Sequence, residues 1–202
     1  IGAANEALKI STAPIFIRID DDVILDSRWF SELIKTYNSE KKVGGVTGPT
    51  IMSKKGIASR DLTNYLVEFS RSKNPIYRFI SWVYLELLYE GRIYEVSTFL
   101  KSGVFTIGSN FKSCLKLPGL VSVNNLEACN WSARKNLLKK VGGFDTIYVK
   151  GLGDYHEADA ALKIKSLGYR LIFNPKVRLK HNVESGTIPK ARPAPYYRIQ
   201  NF

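Results

Sequence analysis

The sequence predicts an α/β fold in which a mostly parallel central sheet is flanked by helices. An apolar run at Ile15–Ile19 follows Pro14, contains one polar residue and ends in a polar turn, which is typical of a short buried strand. One helical pattern precedes this run, and another separates it from a second apolar run that begins at Val43. Helix, strand, helix and strand in this order indicate a sheet with helices on both faces.

The spacing of apolar residues places the first two helices. The first is predicted from about Ala3 to Ile10. In the second, apolar side chains recur at four-residue spacing from Trp29 to Tyr37, and Asp26 or Ser27 is the expected N-cap.

The rest of the chain divides into three parts. A helical insertion is expected at about 55–92, and short β-like runs alternate with glycines between 92 and 123. The final third is more regular, and a proline-rich extended tail is expected at 186–202. The predicted elements of the final third are helices at 135–141 and 155–167 and strands at 170–173 and 176–180.

Composition limits the class of protein. A chain of 202 residues with 45% apolar residues suits one folded domain. A net charge of +12 favours anionic partners without choosing among nucleic acid, lipid and phosphorylated ligands. Two cysteines give no disulfide framework and fit a reducing compartment. We therefore expect a cytoplasmic protein, with a peripheral position on the inner face of the membrane as the alternative.

Three consecutive acids, Asp20, Asp21 and Asp22, directly follow the first predicted strand. Ligands of open α/β sheets bind just beyond the carboxyl ends of the strands. Adjacent carboxylates repel one another unless they share a cation, so Asp20 and Asp22 are candidate ligands of a hard divalent ion. The alternative is a solvated acidic turn that precedes the next helix.

A second acidic cluster follows the glycines at 151–153. Asp154 as N-cap and Glu157 at the third helical position would form a capping box. The functional alternative is that the loop brings carboxylates to a helix N-terminus, where the helix dipole favours the ionised form that a general base needs. Asp154, Glu157 and Asp159 are therefore candidates for this base.

Several motifs of the last third resemble the C-terminal half of family-two glycosyltransferases of the GT-A type. They occur in the family's order: Ala128–Arg134, Val141–Asp145, the acidic pair at a helix start, Leu167–Arg170, Asn174-Pro175 and His181. The run Ile19–Asp22 is similar to that family's Asp-x-Asp motif. The resemblance implies a GT-A, Rossmann-like fold whose first strands lie upstream of Ile1, so we expect a single incomplete domain over residues 1–202.

The resemblance also implies roles for individual residues. Asp20 and Asp22 would hold Mn²⁺ or Mg²⁺ against the diphosphate of a nucleotide-sugar donor, and His181 would complete the ligands. Glu157 would take the proton of the acceptor hydroxyl, with Asp159 as its rival. The expected donor- and acceptor-binding residues, of which the tryptophan would stack on a sugar ring, are Asp21, Asn130, Trp131, Arg134 and Asp154.

The predicted function is therefore metal-dependent, inverting transfer of a sugar to a glycan or lipid-linked acceptor in cell-envelope glycan biosynthesis. Two other classes stay open. A metal-dependent phosphoester hydrolase would use the same acids, although such enzymes commonly use richer His/Asp clusters than two histidines allow. A non-catalytic basic module would bind nucleic acid or an acidic glycan, but no aromatic RNA-binding pattern is present, so we expect no nucleic-acid partner.

Overall fold

The computed structural model describes residues 1–39, 41–52, 67–148 and 155–182, which form two β-sheets and the helices that pack on them. The strands are β1 (Ile15–Ile19), β2 (Val23–Leu25), β3 (Val43–Thr47), β4 (Thr50–Met52), β5 (Val121–Val123), β6 (Asn130–Arg134), β7 (Arg170–Phe173) and β8 (Leu179–His181). The α-helices are α1 (Gly2–Ile10), α2 (Trp29–Ser39), α3 (Pro75–Trp82), α4 (Lys135–Lys140) and α5 (His156–Ser166). A π-helix (Val83–Leu88) continues α3, and short 3-10 helices lie at Gly108–Asn110, Lys112–Lys116 and Thr146–Tyr148.

The larger sheet has the strand order β1-β6-β3-β7-β5. Strand β6 runs antiparallel to both β1 and β3, β5 runs antiparallel to β7, and only β3 and β7 are parallel neighbours. The prediction of a mostly parallel sheet is therefore not confirmed, because the sheet is mixed. The sequence pattern identified β1 and β3, which do share a direction, but it did not show that a distant strand inserts between them.

Both faces of the larger sheet are covered, because its side chains alternate between two hydrophobic clusters. In β7, Leu171 and Phe173 pack into one cluster, while Ile172 packs into the other. The first cluster includes residues of α1, α4 and α5, among them Leu8, Leu138 and Ile164. The second is formed with α2 by Trp29, Leu33, Tyr37, Val43, Val46 and Val177.

The smaller sheet has the order β2-β8-β4. Strand β2 follows β1 after the three acids, and β4 follows β3 after Gly48 and Pro49. Strand β8 lies between them, antiparallel to β2 and parallel to β4. This sheet therefore joins the carboxyl ends of two strands of the larger sheet to the C-terminal part of the described chain.

Most predicted elements of the first fifty residues and of the final third are present within a residue or two. Between 92 and 123 the described chain is largely irregular, with 3-10 turns, one isolated bridge (Phe99 to Phe105) and the short strand β5. The strand expected at 176–180 is β8, because a turn in which the Val177 N–H bonds to the Asn174 carbonyl comes first. The tail predicted at 186–202 lies outside the described residues. In the described chain no helix is both long and apolar enough to cross a bilayer.

Candidate metal and catalytic site

Asp20 and Asp22 lie at the carboxyl end of β1, where the chain leaves the larger sheet and turns into β2. Asp20 is half-buried, whereas Asp21 and Asp22 are exposed. The strand therefore brings two carboxylates to the edge at which α/β sheets bind ligands.

Pairing of β2 with β8 brings His181 to the same place. Val23 lies opposite His181 in the antiparallel register, and the Asn182 N–H donates to the Asp22 carbonyl at 2.9 Å. As a result His181 Nε2 is 3.0 Å from Asp22 Oδ1. One ligand atom from each of Asp20, Asp22 and His181 lies within 4.8 Å of the other two.

These three residues fit a divalent cation. Two carboxylate oxygens and one imidazole nitrogen are a donor set that suits Mn²⁺ or Mg²⁺, and other ligand positions would stay open to solvent or substrate. The same group of residues was expected from the sequence to converge, and the structure brings it together.

Cys129 lies behind the imidazole of His181. Its Sγ is 3.8 Å from His181 Nδ1, the ring nitrogen that does not face Asp22. Burial raises the pKa of the Cys129 thiol, so that this side chain stays neutral. A neutral partner on Nδ1 leaves Nε2 directed toward the carboxylates.

Burial also raises the pKa of Asp20, and the positive charges of Arg18 and His181 act in the opposite direction. The negative charges of Asp22 and Glu157 raise the pKa of Asp20 further. Charges from both acidic patches of the sequence, Asp22 in one and Glu157 in the other, therefore act on Asp20.

Glu157 is held at the start of α5 by contacts to both of its carboxylate oxygens. Arg18 Nη1 of β1 donates a hydrogen bond to Glu157 Oε1, and His156 Nδ1 lies 3.0 Å from Oε2. The Trp131 indole donates to the Glu157 main-chain carbonyl at 3.4 Å. The Glu157 side chain is 12% exposed, so this carboxylate is oriented by its neighbours and still reaches the surface.

The start of α5 differs from the predicted capping box. Tyr155 is the N-cap, in the left-handed conformation (φ 78°), so that Glu157 is the second helical residue rather than the third. Asp154, the predicted cap and donor- or acceptor-binding residue, lies outside the described residues.

Asp159 is the less suitable base of the two that the structure describes. Residues two apart on an α-helix project from nearly opposite sides, so Asp159 lies away from the Arg18 side of the helix. Its carboxylate pairs with Lys163 at 2.7 Å, and Lys163 also contacts Asp145 at 3.2 Å.

Asn130 and Trp131 do not line a cleft, in contrast to the prediction. Both are at most 1% exposed, because β6 lies inside a sheet that is covered on both faces. Asn130 Oδ1 accepts from the Trp29 indole, and its Nδ2 donates to the Val177 carbonyl at 2.8 Å. The Trp131 ring packs against Phe144 at 5.2 Å between centroids, so it offers no face to a sugar.

Arg134 also has a structural position. It donates to the carbonyls of Val43 and Tyr37, and its guanidinium lies 5.5 Å from the centroid of the Tyr37 ring. These contacts tie β6 to α2 and β3, and they leave the predicted sugar-binding role of Arg134 without support.

A cluster of half-buried aromatic rings lies beside the start of α5. The Tyr155 ring stacks on Phe105 at 5.2 Å and meets Phe99 edge-on at 6.2 Å. Tyr155 is the N-cap of α5, so this ring cluster lies at the end of the helix that carries Glu157.

Sequence reasoning missed the roles of Arg18, His156 and Cys129 in this arrangement. Arg18 carried a signal, since a charge inside an apolar strand needs a partner. Cys129 carried none, because its contact with His181 joins segments that are distant in the chain. His156 directly precedes Glu157, but neighbouring positions alone do not show that the imidazole contacts the carboxylate.

The comparisons with known proteins support the fold. No protein-family model and no curated protein sequence matches the chain. Among solved structures, the chain is similar to the mannosyltransferase PcManGT from Pyrobaculum calidifontis in complex with GDP-Man and Mn²⁺, with 17% sequence identity and a TM-score of 0.50. The alignment covers 92% of this chain but 37% of that protein, so the chain spans well under half of its length. The likeness therefore shows a glycosyltransferase-like α/β fold.

Proposed function

We propose that the protein is a metal-dependent, inverting glycosyltransferase that moves a sugar from a nucleotide-diphosphate sugar to a hydroxyl of a glycan or lipid-linked acceptor. The observation that carries this proposal is the convergence of Asp20, Asp22 and His181 beside a carboxylate, Glu157, that Arg18 and His156 hold in place. The fold likeness to a mannosyltransferase agrees with this class of enzyme.

Asp20, Asp22 and His181 are the residues that would hold the divalent cation. When bound, the cation would neutralise negative charge on the departing nucleoside diphosphate. Arg18 bonds to Glu157, and its positive charge also acts on Asp20. The chain's own contribution is thus to place carboxylates and one guanidinium around the donor's phosphates.

Glu157 is the residue that we assign as general base. Arg18 and His156 orient the carboxylate, and the contacts to Oε1 and Oε2 leave further lone pairs to accept a proton. The acceptor oxygen would lose its proton to Glu157 as it bonds to the anomeric carbon, while the bond from that carbon to the diphosphate oxygen breaks. A single displacement of this kind inverts the anomeric configuration.

The ring cluster of Phe99, Phe105 and Tyr155 is where we place the acceptor sugar. The C–H face of a sugar ring packs well on aromatic rings, and Tyr155 of this cluster caps the helix that carries Glu157. It takes the role that the sequence had suggested for the buried Trp131.

The test is a transfer assay on the purified chain with nucleotide sugars, glycan or lipid-linked acceptors, and Mn²⁺ with and without chelator. Asp22→Asn should abolish metal-dependent transfer and weaken Mn²⁺ binding measured by calorimetry. The Asp22 side chain is 43% exposed, so the variant should keep its fold. Asp145→Asn is the matched control, because that side chain is 42% exposed and pairs with Lys163 instead.

Two results would contradict the proposal. Full metal-dependent transfer by Asp22→Asn would remove the metal site from the mechanism. Metal-dependent release of phosphate without any new glycoside would indicate a phosphoester hydrolase.

A further inference from the structure

Helix α3 carries an exposed apolar face. Ile76, Phe79 and Ile80 lie at the i, i+3 and i+4 positions and are 65%, 63% and 45% exposed. Trp82, which is 55% exposed, stacks on Phe79 with 6.2 Å between ring centroids. We call these four residues the α3 face. Adjoining exposed apolar side chains mark an interaction site, whereas scattered ones do not.

Helix α3, which carries this face, is held in place by its N-cap and by packing of the residues that follow it. Asn74 caps it by accepting from the Ile76 N–H at 2.9 Å, and Pro75 occupies the first turn. Ser81 is fully buried. The π-helix that follows packs Tyr84 and Leu85 against a small hydrophobic cluster formed by Tyr89, Ile93, Leu100 and Ile107. The α3 face is therefore exposed on an anchored helix.

Basic residues flank the α3 face. Arg71, Lys73 and Arg78 are exposed, and the nearest acids in the sequence are Glu68 and Glu86, one on each side. None of the three forms an ion pair with another residue of the described chain. Together with the net charge of +12, this surface complements a negatively charged one.

We propose that the α3 face docks on the surface of an anionic lipid bilayer. Tryptophan and phenylalanine with flanking cations are the composition of helices that lie in the membrane interface, with rings at headgroup depth and cations at the lipid phosphates. α3 has eight residues, too few to span a bilayer, so this helix would lie in the interface. This inference concerns a surface separate from the metal ligands and does not depend on the proposed reaction.

The fluorescence of Trp82 can report this contact. Of the chain's three tryptophans, Trp29 and Trp131 are 3% and 0% exposed, so a change in emission on vesicle binding reports Trp82. We expect a blue shift and cosedimentation of the full chain with phosphatidylcholine vesicles that contain phosphatidylglycerol. Binding should weaken as salt is added and should be much weaker on phosphatidylcholine alone.

Two charge substitutions form a matched pair. Phe79→Glu should weaken vesicle binding at least about tenfold, because it places a charge among the inserted rings. Phe30→Glu, on α2, replaces a side chain that is 61% exposed and should bind as the wild type does. The triple variant Arg71→Gln, Lys73→Gln, Arg78→Gln should lose about fivefold in affinity for each cation removed.

The proposal would be overturned if the wild-type chain did not bind anionic vesicles, or if it bound neutral vesicles with the same affinity. Equal binding of Phe79→Glu and Phe30→Glu to anionic vesicles would also overturn it. A dimer in solution that Phe79→Glu dissociates, without vesicle binding, would instead show that the α3 face binds a second copy. Sugar transfer to a soluble acceptor should be unchanged in Phe79→Glu, which separates this test from that of the proposed function.

Discussion

Arg18 and Glu157 form an ion pair between residues that are 139 positions apart in the chain. The pair joins the end of β1, which leads into Asp20 and Asp22, to the first turn of α5. Both side chains are largely buried, with 28% and 12% exposed. The two acidic patches of the sequence therefore share one region of the molecule, as a site with a metal and a base requires.

Replacing Arg18 by Gln should impair catalysis through Glu157. Without the guanidinium, Glu157 Oε1 loses the donor that orients it, so kcat/KM should fall about tenfold to a hundredfold. Loss of a partly buried pair should also lower the free energy of unfolding by about 1–2 kcal/mol. The measurements are kcat/KM and urea unfolding.

Arg18→Lys separates charge from shape. A lysine restores the positive charge but not the planar guanidinium that bonds to Glu157, so Arg18→Lys should recover only part of kcat/KM. If Arg18→Gln unfolds more easily but keeps the wild-type kcat/KM at temperatures at which it is folded, the residue only supports the fold.

Cys129 should tune metal affinity through His181. In Cys129→Ala the imidazole loses the sulfur 3.8 Å from Nδ1, and orientation of Nε2 toward Asp22 weakens. We expect the dissociation constant for Mn²⁺, measured by calorimetry, to rise about three- to tenfold, at the low end for residues that support metal ligands.

The control for this variant is Cys114→Ala. Cys114 is also buried, but its thiol contacts the Ser109 carbonyl, and it packs in the main hydrophobic cluster. It should lose stability without a change in Mn²⁺ affinity. Equal effects of the two substitutions on Mn²⁺ binding would rule out a specific role for Cys129.

Phe105 should contribute to acceptor binding. Phe105→Leu removes the ring that stacks on Tyr155 and should raise KM for a glycan acceptor about threefold to tenfold while the affinity for the donor stays the same. Phe111→Leu is the control, because that ring instead meets Tyr94 edge-on at 5.6 Å. A rise in KM that is equal in both variants would point to general loss of packing.

Sequence reasoning succeeded for the elements and residues that the pattern of a single segment reveals. The apolar run of β1 and the acids after it were found because a strand end is visible in one segment. That His181 joins these acids was suggested only by the family resemblance. The pairing of β2 with β8 that brings it there was not predicted.

The prediction for Asn130 and Trp131 was wrong for a related reason. The family resemblance implied a binding role for both residues, yet both lie in a strand whose two faces are covered. Their partners, such as Val177 and Phe144, come from other elements. Whether such residues are buried depends on the order of the strands in the sheet, and a short stretch of sequence does not show that order.

The turn between β3 and β4 should tolerate no side chain at Gly48. A Cβ at this position would lie 2.1 Å from the Val177 carbonyl oxygen and 2.7 Å from that of Asn174, and both are main-chain atoms. Gly48→Ala must therefore push apart the connections that lead into β4 and β8. We expect a loss of about 2–3 kcal/mol in the free energy of unfolding, or roughly 5–10 °C in Tm.

The same displacement should reach the candidate site, because β8 ends at His181. Mn²⁺ affinity of Gly48→Ala should fall even at temperatures at which the protein is folded. Gly119→Ala is the matched control, since a Cβ there has no atom within 4 Å and should change stability by less than about 0.5 kcal/mol. If Gly48→Ala has the same Tm as the wild type, the turn at Gly48 and the segment at 174–177 can move apart without loss of stability. Their close approach would then not position His181.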